Sequence, residues 1–375
     1  FFEKKIESLH ITRSLENRAS QLIDEVNAVN AHLLRTSQLS NLALQLYAKY
    51  IHHGHARNEK DEKEIDAYFQ THLTEELKTA KGFYVKLYLY QCYCWYGFIR
   101  QDFLLYYRYT QHWIELFQQE SFMIEIETAS YIKGLHNSLT AHFVLRNDAK
   151  FTRDLRHFEE FADSDIVRKS DHNRVQVFVY MNIARINQHI LDGTFEDGLL
   201  LVPAIEENLV EYAIHLDSHR ILVFYYKFAS LYFGAGDFST SIDYLNKIIN
   251  WSVDLRNDLQ CYARLLHLIA HYELGNFELI EYLVKSVYRF MAKMENLSQV
   301  EEEMFRFLRK SFHLTPKELK PEFVKLLDTV KQFEKSRFET RAFIYLDIIS
   351  WLESKIEEKP LYQIIREKYV EREKK

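Results

Sequence analysis

The feature that most constrains this chain is a phenylalanine that returns after a turn, at Phe103, Phe151, Phe195, Phe238 and Phe277, with intervals of 48, 44, 43 and 39 residues. In four cases the preceding residue, Asp102, Thr194, Asp237 or Asn276, carries a side-chain oxygen suited to accept an orphan N–H in the first turn of a helix. Lys150 is the exception. A turn, a cap and an aromatic wedge repeated at this period predict stacked helix pairs, because one pair cannot bury its apolar face without its neighbours. The expected fold class is all-α, an α-α superhelix (solenoid) of antiparallel helix pairs.

Composition supports the same reading. Nine glycines and four prolines in 375 residues leave few tight turns, which disfavours sandwiches, barrels and doubly wound sheets. With 25 tyrosines and 27 phenylalanines, the helix interfaces should be built from rings. The 48 basic and 54 acidic residues are interspersed at a net charge of −6, so no basic stripe follows a phosphate backbone and nucleic acid is not an expected partner. The longest apolar and aromatic run, 87–99, is interrupted by Gln91 and Gly97 and is shorter than the roughly 20 residues of a spanning helix, so no membrane partner is expected either. Three cysteines, Cys92, Cys94 and Cys261, form no framework and fit a reducing cytoplasm. A first residue of Phe1 rather than Met leads us to expect further chain upstream.

Along the chain, Phe2, Ile6, Leu9, Leu15, Leu22, Ile23, Val26, Val29 and Leu33 recur at helical spacing and predict an N-terminal capping helix over 1–35. A helix over 37–53, a charged turn at 58–62 and a helix holding Ile65, Tyr68 and Phe69 make the first pair. From Phe83 the first helix of each pair, helix A, reads as a long apolar and aromatic segment at 83–99, 129–146, 175–191, 221–233 and 259–274, each followed by a turn and a helix B. Repeats thus occupy 36–297. Beyond them come shorter, more charged helices opened by capping boxes, Ser298 with Glu301 and Thr315 with Glu318 behind Pro316, so 298–375 reads as a C-terminal helical cap with a solvated tail at 371–375.

The clearest pair spans 225–249, where Tyr225, Phe228, Ala229, Tyr232, Gly236, Phe238, Ser241, Leu245 and Ile248 fall at the signature positions of a tetratricopeptide (TPR) repeat, which the pair resembles. Ser241 stands for the usual alanine, Tyr225 for the usual tryptophan, and no proline closes the repeat. The periods exceed the 34 residues of that family, which longer helices account for. The stretch 221–290, with 231-LYFGAGDF-238 and 271-HYELGNFELIEYL-283, is also similar to bacterial proteins of the Bacteroidetes type. That likeness implies no activity, but it does imply additional chain before Phe1.

Chemistry is sparse. His267 and His271 are four apart as zinc ligands are, but Leu268 stands where a metalloprotease box has glutamate and no third ligand is apparent. His215 with His219 receives the same reading, and His52, His53 and His55 around Gly54 read as a polar helix end. Cys92 and Cys94, two apart on a helix, point to different sides and cannot clasp one metal. No nucleophile elbow, phosphate loop or dinucleotide fingerprint is present. No cofactor and no catalysis are expected.

In a TPR-type superhelix the A helices line the concave face. The resemblance places Tyr88, Gln91, Trp95, Phe98, His136, Phe143, Arg146, Tyr180, Asn187, Tyr226, Phe233, Tyr262 and Tyr272 on that face, a set rich in the residue types of binding hot spots. The expected function is a non-catalytic scaffold that docks a peptide or partner protein in an aromatic-lined groove. The alternative is an intracellular regulatory sensor, whose repeats bind a ligand or signal peptide and control an upstream output segment.

Overall fold

The computed structural model describes residues 15–374 apart from 252–256, 295–296, 312, 335 and 337, so the expected positions Phe2, Ile6 and Leu9 lie outside it. Among the described residues every regular element is a helix. The first, α1 (Leu15–His53), runs through the break expected near residue 36. No glycine or proline interrupts it, and the Thr36 hydroxyl donates to the His32 carbonyl at 2.9 Å, so this turn-prone residue is satisfied within the helix. Gly54, at φ +74°, ends it.

After α2 (Glu59–His72) and the short α3 (Glu75–Thr79), the pairs follow: α4 (Phe83–Ile99) with α5 (Phe103–Gln119), then, past α6 (Met123–Ile126), α7 (Thr128–Val144) with α8 (Asp148–Ala162). Beyond α9 (Asp165–Arg168), α10 (Asp171–Asp192) is the A helix of the third pair, whose B helix is split into α11 (Phe195–Leu199) and α12 (Val202–Glu211). Pro203 sits in the first turn of α12, where its missing N–H costs nothing and where its ring prevents α11 from continuing. The pairs α13 (Ser218–Ala235) with α14 (Phe238–Ile249) and α15 (Asn257–Glu273) with α16 (Phe277–Lys293) complete the series. Adjacent A helices pack in sequence, α7 on α10 and α10 on α13, with α15 reached through α14 and α13.

The caps explain why the pairs break where they do. Asp102 accepts from the Leu105 N–H and Asp237 from the Thr240 N–H, each at 3.0 Å. Thr194 and Asn276 make no such bond; their side chains instead meet His189 Nδ1 at 2.8 Å and His271 Nδ1 at 3.0 Å, one turn back on the preceding helix. Phe151 departs from the pattern because α8 begins at Asp148, which places the ring in the second turn. Phe103, Phe151 and Phe195 are buried wedges, whereas Phe277 is 52% exposed. Between α13 and α14 the expected close approach is present: Ser241 is buried and its hydroxyl donates to the Ala229 carbonyl at 2.9 Å.

Beyond α16 the chain continues through α17 (Gln299–Ser311) and α18 (Pro316–Phe333), the latter opened by the expected Thr315–Glu318 capping box. The last helices, α19 (Thr340–Tyr345), α20 (Ile348–Glu357) and α21 (Leu361–Glu373), reverse direction, and α21 lies across α8, α10 and α13. The end expected to be solvated is held, since Arg372 pairs with Asp148 at 2.6 Å. The array is also curled, for a methyl group on Gly54 would lie only 3.9 Å from Asp258 Cβ at the start of α15.

Gly193 and Gly236 separate backbone strain from tail docking. Both end an A helix at positive φ, +71° and +88°, but a Cβ on Gly193 would stand 2.8 Å from the Arg366 nitrogen and the Tyr362 carbonyl of α21, while one on Gly236 meets nothing within 4 Å. Gly236→Ala should cost about 1 kcal/mol and Gly193→Ala roughly 2–4 kcal/mol. Urea unfolding of the two variants measures the difference, and equal losses would mean that α21 contributes nothing at this turn.

Candidate functional site: the inner wall of the superhelix

The residues expected on one wall of the A helices fall into two sets whose surroundings differ. In the half formed by α13 and α15 the wall is covered by residues 340–347 of the chain itself. The Tyr345 ring stacks on Tyr262 with centroids 4.2 Å apart and meets Tyr226 edge-on at 5.8 Å. The Tyr226 hydroxyl donates to the Tyr345 carbonyl at 3.0 Å, and the Tyr345 hydroxyl donates to Asp258 at 2.6 Å. Two residues on, Asp347 pairs with Arg146 at 3.3 Å. A cavity of only about 50 Å³ remains beneath this strap, lined by Phe143, Arg146, Lys227, Phe233 and the backbone at 343–347.

Of the expected wall residues, Phe143, Asn187, Tyr226, Phe233 and Tyr262 are buried; the strap meets Tyr226 and Tyr262 directly and shares a cavity with Phe143 and Phe233. For these rings the reason is hydrophobic, since an apolar ring gains more from the chain's own tail than from water. Tyr272 is half-buried against Phe307, Phe323 and Trp351. Arg146 is half-exposed beside the tail carboxylate.

The other half, formed by α1, α4, α7 and α10, keeps partial contact with water. Tyr88, Gln91, Trp95, Phe98, His136 and Tyr180 are all half-buried. Trp95 sits between the Tyr47 and Tyr50 rings of α1, at 4.9 and 5.5 Å, and the Lys133 ammonium of α7 stands 5.4 Å from its centroid. His136, one turn further along α7, stacks on Tyr180 of α10 at 4.1 Å. Phe98 serves the core more than the wall, packing on Tyr50, His55 and Tyr106.

Sequence reasoning passed over the charges on this wall. Burial pulls the Lys133 ammonium below the ordinary lysine range, and nearby Arg220 adds to the effect. Burial also drives the His136 imidazole down to about 3, with Lys133 and Arg220 contributing. In the covered half, burial brings Lys227 to about 8, Arg146 adding its repulsion. Burial alone would raise the Asp347 carboxyl, but Arg146, Lys368 and the Ser350 N–H outweigh it and hold it below the usual range. The signal was present in the sequence as lysines within the A segments, Lys133 in 129–146 and Lys227, the one charged residue of 221–233.

Elsewhere the polar groups read as structure. Ser138, His142 and Asp154 have the composition of a hydrolytic triad, yet the serine hydroxyl at 2.8 Å and the imidazole at 3.1 Å both bond the same carboxylate oxygen, so no base faces the serine. Burial pushes the Cys94 thiol up to about 12, leaving it un-ionised. Among the described residues no three His, Cys, Asp or Glu side chains are gathered as a metal ion requires, and no helix is long and apolar enough to cross a membrane.

Lys227 gives a pH test. Its folded-state pKa lies below the unfolded value, so the folded chain sheds this proton near pH 8 while the unfolded chain keeps it to about 10.4. Stability should therefore rise with pH between these values, because the unfolded state binds more protons there. Lys227→Met should be more stable than the parent at pH 7, by on the order of 1 kcal/mol or more. The advantage should shrink toward pH 10, as read from melting curves at each pH, and a constant difference would refute the assignment.

No protein-family model matches the chain, and no curated protein does. The likeness to bacterial proteins of the Bacteroidetes type finds no support here. Among solved structures, the chain is similar to the crystal structure of a Rap protein complexed with competence and sporulation factor, with a TM-score of 0.52 and 14% identity over 95% of this chain and 97% of that one. At this identity the likeness concerns the fold alone, and it supports an all-α, TPR-like helical-repeat superhelix.

Proposed function

We propose that this chain is a non-catalytic docking protein that holds an extended segment of a partner against its concave inner wall. The observation that carries the reading is the strap at 340–347. The chain's own tail lies on inner-wall rings through stacking, a main-chain hydrogen bond and one ion pair, the three contacts a bound peptide would use. The wall continues past the strap into the half-exposed rings Trp95, His136 and Tyr180, where a partner segment has rings to bury and room to reach them. In the similar solved structure, a protein of the same fold is complexed with a separate factor.

A second reading, a regulatory sensor, draws on the curl. With Gly54 against Asp258, a change of curvature caused by a ligand on the wall would be felt at the end of α1 and passed to any upstream segment. Hydrogen exchange at 54–58 with and without bound partner separates the readings, since only the sensor requires a change there.

The docking reading is tested by photo-crosslinking in native cells, with p-benzoylphenylalanine at position 95 or 180 and, as outer controls, at Leu104 and Leu200, which are 70% and 78% exposed. The inner positions should join one partner sequence that the outer ones do not. Trp95→Ala with Tyr180→Ala should weaken its capture at least about tenfold. Crosslinking that is equal inside and out would refute the proposal.

A further inference from the structure

The inner wall is positively charged in a protein whose net charge is −6. Among the described residues neither Lys133 nor Lys227 has a carboxylate within ion-pair distance; Lys133 stands over the rings of Tyr47 and Trp95, and Lys227 over that of Phe143. Arg220, close enough to raise the cost of the Lys133 charge, has only a long contact of 3.8 Å to Asp217. Asn187 adds a buried Oδ1 with no hydrogen-bond partner. Cations partly withdrawn from water without a counter-charge are costly, and beside half-exposed rings they are candidate binding groups.

The covered half shows what such a wall accepts. There Arg146 is answered by Asp347, and the aromatic side chain two residues earlier in the tail lies on Tyr262. In the open half the same elements, ring platform and cation, are present, while the described chain supplies no acid to Lys133.

We propose that the open wall from Trp95 through Lys133 and His136 to Tyr180 and Arg220 binds an acidic peptide, with an Asp or Glu side-chain carboxylate on Lys133 and Arg220 and a neighbouring aromatic residue on the Trp95–Tyr180 surface. This rests on the docking reading and gives it a ligand chemistry. Charge complementarity sets the choice: a basic peptide would be repelled, and a neutral one would leave the cations unpaired.

The test uses the full chain and fluorescent synthetic hexapeptide pools with Tyr fixed two residues before an Asp, or before an Asn in the matched pool, each with a free or an amidated C-terminus. The Asp pool should bind at least about tenfold more tightly than the Asn pool, with amidation making no difference. Lys133→Met should abolish the preference and Lys133→Arg should retain it. Because Lys133→Met removes an uncompensated charge, it should melt no lower than the parent, which separates lost recognition from lost folding. Equal binding of the two pools overturns the acidic anchor, and dependence on a free C-terminus overturns the side-chain assignment. Binding of no pool also overturns the inference, while the docking reading is judged separately by the crosslinks at 95 and 180.

Discussion

Asp347 on Arg146 and Arg372 on Asp148 join parts of the chain 201 and 224 residues apart, and the shape of the molecule depends on such contacts. A row of helix pairs holds itself together through nearest neighbours, so its curvature is a sum of small rotations that can drift. The returning tail removes that freedom by touching the ends of successive A helices. Thr340 donates to Gln101 beside the first turn, Arg366 to the Asp192 carbonyl at the third, and Trp351 to Glu273 at the fifth. The Thr340 and Trp351 bonds are partly desolvated and all three are geometrically specific, so they fix the spacing of the turns even where their net contribution to stability is modest. The contacts that set the curl thus close longer loops than any within the repeats and are formed last if local pairs form first.

A consequence follows for the wall. Once the turns are held at fixed spacing, α7, α10 and α13 are fixed relative to one another, and neither Lys133 and Arg220 nor Lys227 and Arg146 can separate to relieve their repulsion. In a freely breathing solenoid these side chains would swing to water. Here rings and neighbouring helices surround their stems, so for Lys133 and Lys227 the strain remains as shifted protonation rather than movement. The long-range bracing and the perturbed cations are two aspects of one constraint.

This division also explains what the sequence disclosed and what it did not. The A helices were legible because each combines an apolar run of helical length with a cap, as at Asp102 and Asp237, and both are local properties. The Thr194 and Asn276 caps were misjudged because a histidine on the preceding helix competes for each side chain. The burial of Tyr226 and Tyr262 was not legible, since it depends on Tyr345, whose place is set by a reversal of the chain that no local pattern announces. The end of the chain at 371–375 reads as solvated because the partners of Arg372, the Asp148 carboxylate and the Leu191 carbonyl, lie at distant turns.

The strap and the open wall share two helices, α7 and α10. Tyr180 lies on α10, whose far end at Asp192 and Gly193 is gripped by α21, and Lys133 lies on α7, which leads directly into Arg146 under Asp347. A segment that draws α7 and α10 together at Lys133 and Tyr180 acts on the same two helices that the tail holds at their other ends. On the docking reading proposed above, any effect of the docked tail on affinity at the wall is matched by an equal effect of the bound segment on docking of the tail.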